Sequence, residues 1–170
     1  MNGKAFFEWS DNMSVDIAEI DTQHKMLIDI LNRLFMSVMN REQNTVTTEV
    51  LDALIDYTKT HFELEERLML DAGYDPMAYA AHCTTHQEFI DKVGNAARKF
   101  LVEEKTVSFE LINFLKHWLR DHILVTDQKY AAALRDQGYV THAWETSANS
   151  LMTQKQNASE HSRKHWWNLW

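Results

Sequence analysis

Residues 61–86 read HFELEERLMLDAGYDPMAYAAHCTTH, and the fold is decided in this stretch. His61 and Glu65 stand four residues apart, and so do His82 and His86. Over four residues an α-helix turns a net ~40° and rises about 6 Å, so each pair faces one way and can share a site. Between the pairs lie the marks of one helix ending and another beginning. Gly73 suits the left-handed position just past a helix C-terminus. Asp75 suits an N-cap and Pro76 the first helical position. The stretch predicts two antiparallel helices with a ligand-type pair on each side of their turn.

Working outward, the pattern extends to four helices. The helix before the turn runs from about 45 to 71, with Val50, Leu51, Leu54, Leu68 and Met69 on one stripe. The helix after it continues to about 104. Upstream, Ile20, Leu27, Ile28, Leu31, Leu34 and Phe35 recur at helical spacing over about 17–40. Downstream, a helix begins near Ser108 and ends before Gly138, with Leu111, Leu115, Trp118 and Leu119 facing inward. The chain of 170 residues has only four Gly and one Pro, which favours long helices. Long helices with short loops pack as antiparallel neighbours. The expected class is all-α, an up-down-up-down four-helix bundle over residues 1–140. Phe6, Phe7 and Trp9 form an N-terminal arm laid across it. Residues 141–170, rich in Ser, Asn, Gln and His and closing on HWWNLW, are expected as a C-terminal extension.

The first and fourth helices complete the chemistry. His24 lies on the first helix between Ile20 and Leu27, and His122 and Asp127 lie on the fourth, written HILVTD. A five-residue step turns roughly 140°. Asp127 therefore either approaches from another side or follows a local π-bulge. At about 1.5 Å per residue, most of these side chains fall roughly 9–20 Å from the same end of the bundle. A lone core histidine needs only one hydrogen bond. Five histidines and two carboxylates pointing into one core are costly unless a metal compensates them.

These residues carry a resemblance. Trp9, Asp21-Thr-Gln-His24, His61-Phe-Glu-Leu-Glu65, His82-Cys-Thr-Thr-His86 and Trp118-Leu-Arg-Asp-His122-Ile-Leu-Val-Thr-Asp127 resemble the hemerythrins, the bacterial branch in particular, over about 7–139. The resemblance implies two iron ions per chain. His82, His86 and His122 would hold one, and His24 and His61 the other, which keeps an open position. Glu65, Asp127 and a solvent-derived oxo or hydroxo group would bridge them. It implies reversible binding of dioxygen, for storage, delivery or buffering, by a carrier rather than an enzyme. Given that ligand set, oxygen can come and go with no net change of charge in the site. Leu27, Phe62, Trp118, Leu119 and Ile123 flank the ligands and are candidates for a dry oxygen pocket. Plain core packing would explain them equally well.

Other readings stay open. One is an oxygen sensor that signals through the tail; another is a di-iron peroxidase or nitric oxide scavenger. A zinc hydrolase fits worst, because seven ligands exceed one tetrahedral zinc site. The net charge of −8 argues against nucleic acid as a partner. Cys83 is the sole cysteine, the start lacks a secretory apolar segment, and no apolar run approaches a bilayer's width, so a cytoplasmic location is expected. The tryptophans of the tail suit a protein partner or a membrane surface. His117 reads as off the ligand stripe, Cys83 as a packing residue, and Glu63 and Glu66 as solvated. Gly94, inside the third helix, would mark a close helix approach or a gas path.

Overall fold

The computed structural model describes residues 5–102 and 107–136. Helix α1 spans Ala18–Met39, α2 Asn44–Asp71, α3 Pro76–Val102 and α4 Phe109–Asp121. The last continues through a π-helical segment, His122–Asp127, into α5, Gln128–Asp136, as one rod. The four rods pack α1 on α2, α2 on α3 and α1 on α4. This is the expected up-down-up-down bundle, and no strand occurs among the described residues. The ends expected near 104 and 138, and the extension over 141–170, lie outside the described residues. No helix of the described residues is long and apolar enough to cross a membrane.

The stop and start signals act as their chemistry predicts. Gly73 takes φ +65°, the N–H of Tyr74 donates to Met69 O, and that of Gly73 to Leu70 O, which closes α2 in a Schellman turn. Asp75 Oδ1 accepts from the N–H of Met77 and Ala78 and caps α3. The Ser108 hydroxyl accepts from the N–H of Leu111 and caps α4. The end of α1 repeats the Schellman turn with Arg41 in the left-handed position, at φ 52°.

The arm crosses the bundle where expected. Asn32 grips its backbone at both ends of one residue, accepting the Phe7 N–H and donating to the Phe7 carbonyl, each at 2.8 Å. The Phe6 ring stacks on Phe35, and the Lys116 ammonium donates to the Phe6 carbonyl. Phe7 is buried and Trp9 half-buried.

Packing divides the core in two. A larger apolar cluster holds Leu27, Leu31, Leu54, Phe62, Phe89 and Leu115. A smaller one, toward the start of α1, holds Ile20, Leu64, Leu68, Met69, Tyr130 and Leu134. On α1 His24 stands between Ile20 of the smaller cluster and Leu27 of the larger, and on the α4–α5 rod Asp127 stands between Ile123 of the larger and Tyr130 of the smaller; the other buried histidines and acids gather at the same level. That polar layer is the candidate site.

Candidate metal centre

The structure brings His24, His61, Glu65, His82, His86, His122 and Asp127 into one layer, none more than 5% exposed. Helix periodicity accounts for six of them. The seventh depends on the π-helical segment. Over His122–Asp127 the helix widens, and a residue five along returns to the same face. Of the two arrangements left open by the spacing, the π-bulge is the one adopted. Asp127 Oδ1 lies 3.0 Å from His122 Nε2.

The two carboxylates divide the histidines. Glu65 Oε1 lies 3.8 Å from His24 Nε2 and 3.5 Å from His61 Nε2. Its other oxygen, Oε2, lies 3.6, 3.2 and 3.8 Å from the Nε2 atoms of His82, His86 and His122. Asp127 repeats the split, with Oδ2 3.3 Å from His24 and Oδ1 toward His122 and His82. Glu65 thus shows one oxygen to a pair of imidazoles and the other to a group of three, and Asp127 one oxygen to His24 and the other to two of that group. Two clusters of metal-ligand atoms result, His24–His61–Glu65 and Glu65–His82–His86–His122.

Hydrogen bonding shows whether these groups fit a metal. Buried polar atoms in proteins are nearly always paired. Among the described residues, Nε2 of His24, His61 and His82, Oε2 of Glu65 and both oxygens of Asp127 have no hydrogen-bond partner, and all are turned inward to the layer. Unpaired imidazole nitrogens facing unpaired carboxylate oxygens at 3.3–3.9 Å are a donor set for divalent cations.

Protons hold the metal-free layer together. Burial disfavours the charged forms of His24 and His122, but the adjacent carboxylates of Asp127 and Glu65 outweigh it and raise both to about 9. His61 falls to about 3, pushed down chiefly by burial. Burial pushes Glu65 up, yet the histidines around it, His61 foremost, hold it well below the usual range. Asp127 is lowered too, because His122 and His24 outweigh burial and the neighbouring Glu65. Two imidazolium charges face two carboxylates, a balance that a cation would take over.

Side chains around the layer fix its parts. Phe62 stacks on His86 with ring centroids 3.6 Å apart and planes 3° from parallel. Trp118 stacks on His122 at 4.3 Å. Three contacts escape the sequence reading. Gln23 Oε1 lies 2.8 Å from His61 Nδ1, Glu66 Oε1 lies 2.9 Å from His86 Nδ1, and the Tyr130 hydroxyl donates to Glu65 Oε1. Glu66, expected to be solvated, is half-buried instead and faces α3. The other minor expectations stand: His117 is exposed, Cys83 is half-buried, and Glu63 is exposed.

A small cavity of about 10 Å³ opens beside the layer, within the larger apolar cluster. Leu27, Thr58, Phe62, Phe89, Trp118 and Leu119 line it, each within one helical turn of a site histidine, with Leu31, Leu54 and Leu115 beyond. The Thr58 hydroxyl donates to Leu54 O, so its hydrogen is already engaged. Ile123, expected with this group, is fully buried in the core but is not part of the cavity wall.

Fold and layer together define a class, the four-helix bundles that bind cations in their core. Comparison with known proteins places the chain within that class. Residues 15–134 match the model of the hemerythrin HHE cation binding domain. A bacteriohemerythrin of Stenotrophomonas maltophilia is 39% identical over 127 residues, 75% of this chain and 80% of that protein. One from Pseudomonas aeruginosa is 37% identical over 131 residues, 77% of this chain and 83% of that protein. A crystal structure of wild-type hemerythrin superposes with a TM-score of 0.71 at 30% identity, covering 76% of this chain and 98% of that one. The chain belongs to the hemerythrin family.

Proposed function

We propose that this protein binds dioxygen reversibly at a pair of iron ions. His82, His86 and His122 would hold one ion and His24 and His61 the other, with Glu65 and Asp127 shared between them. An iron pair held there would supply two electrons, reversibly, to dioxygen. The observation that carries this reading is the division of each carboxylate between the two histidine groups, as a bridging acid requires. Imidazoles outnumber acids five to two in the layer, unlike the carboxylate-rich bundles with four acids and two histidines.

The surrounding residues supply the rest. The cavity takes about one water-sized molecule and is walled by apolar side chains, so it admits a diatomic gas and excludes larger substrates. Leu27, Phe62, Trp118 and Leu119 keep water from the open side. That favours a carrier over a peroxidase acting on larger molecules. The reading takes residues 1–140 as the bundle unit, 141–170 as a separate extension, and the cytoplasm as the setting.

Anaerobic loading with ferrous iron, then oxygen, then degassing tests this. A visible charge-transfer band should appear with oxygen, fade on degassing, and return over repeated cycles. Irreversible oxidation at the first exposure, or no uptake of iron, would sink the proposal.

A further inference from the structure

Two imidazoles on opposite halves of the layer are held from behind by different chemistry. His86 Nδ1 lies 2.9 Å from a carboxylate oxygen of Glu66, whose side chain is 30% exposed. His61 Nδ1 lies 2.8 Å from the amide oxygen of Gln23, which is 2% exposed. In both rings Nε2 points into the layer. The ring proton therefore sits on Nδ1 and is donated outward, to an ionised acid in one case and a neutral amide in the other.

The two acceptors are not equivalent. A carboxylate behind a histidine forms a charge-assisted hydrogen bond and raises the basicity of the ring's other nitrogen. An amide oxygen orients the ring with much less electronic effect. Gln23 has a further cost, since its buried Nε2 has no hydrogen-bond partner among the described residues. A buried amide with an unmet donor is destabilising. Among the described residues, its side-chain hydrogen bond is to the imidazole of His61.

We propose that Glu66 and Gln23 are positioning residues that make the halves of the site unequal electron donors, the acid strengthening His86 and the amide leaving His61 weaker. This inference rests on the proposed iron pair and extends it. The difference sets the potential of the iron centre. The three-histidine half, backed by Glu66, stabilises the ferric state. The two-histidine half, backed by Gln23, stays readily reduced.

The test is an anaerobic redox titration of the iron-loaded full chain, wild type against Glu66→Gln and Gln23→Glu, with iron removal by a chelator as second readout. Glu66→Gln keeps an acceptor and removes the charge. It should move the potential upward and weaken iron retention about 10- to 100-fold. Gln23→Glu should move the potential downward. A purely structural role would loosen iron in both variants without opposite shifts. Glu66 is partly exposed, so Glu66→Gln carries the test even where the buried charge of Gln23→Glu unfolds the chain. A Glu66→Gln potential equal to or below wild type, or shifts of one sign in both variants, overturns the inference and leaves the iron pair standing. A wild-type chain that takes up no iron overturns both.

Discussion

The hydroxyl of Tyr130 donates to Oε1 of Glu65 at 2.9 Å, the oxygen that faces His24 and His61. Tyr130 is fully buried, and burial with the nearby charge of Glu65 pushes its own ionisation well above the usual range, so it stays a donor. Replacing it by Phe removes one hydrogen bond to a charged acceptor without changing the packed ring. Tyr130→Phe is expected to cost about 1.5–3 kcal/mol in denaturant unfolding of the metal-free protein. Helicity by circular dichroism should be unchanged. An unchanged midpoint would mean that this contact contributes nothing.

Leu119 forms part of the cavity wall and lies three residues before His122. Leu119→Ala should cost about 2–5 kcal/mol, since it enlarges a void already present. It should also admit water and speed the irreversible oxidation of the iron-loaded protein in air. Following the loss of reversible colour over time measures this. A rate equal to wild type would remove Leu119 from the guarding role.

The pH dependence of the metal-free protein has a definite sign. His24 and His122 are raised to about 9 from an ordinary value of 6.5. Their contribution is present in full below about 6.5 and is lost as pH climbs toward 9. Glu65 and Asp127 are lowered, so theirs is present above the ordinary carboxylate range and lost as pH falls through the depressed values. His61, lowered to about 3, adds a contribution that is present above about 6.5 and lost as pH falls toward 3, so the chelated protein should be most stable at about 6.5 and weaken on both sides. Denaturation midpoints across pH check this. Metal works in the opposite direction: loading releases protons, so apparent iron affinity should rise across 6.5–9, as titration in weakly buffered solution would record.

Gly94 is exposed on α3, and a Cβ built there meets nothing within 4 Å among the described residues. Close helix approach, one of the two reasons the sequence offered for it, is therefore absent. Gly94→Ala should stabilise the protein by about 1 kcal/mol through helix propensity alone. A shift in the thermal midpoint would show it, and a decrease would reveal a constraint not visible in the packing.

Much of this was legible in the sequence because helix periodicity is a rule about one chain segment. Gly73, Asp75 and Ser108 announce their turns locally, and the stripes of α1–α4 place six of the seven site residues by angle alone. What escaped was contact between segments. Glu66 follows Glu65 by one residue, which turns it about 100° off the ligand stripe and suggests solvent. It faces α3 instead, where His86 lies 20 residues away in sequence. Gln23 is displaced in the same way from His24 and reaches His61 on α2. Tyr130 did leave a signal: it stands three residues after Asp127, on the same helical face. The cavity depends on how four rods meet, and no single stripe encodes it.

The widened segment at His122–Asp127 absorbs one more residue than a regular turn would hold. Wind the same residues as a regular α-helix and Asp127 would stand roughly 140° round from His122, off the axis of the bundle, with Tyr130 carried away from the smaller cluster beside it. Backbone winding, and not residue type alone, therefore decides whether the bundle can clasp a pair of cations.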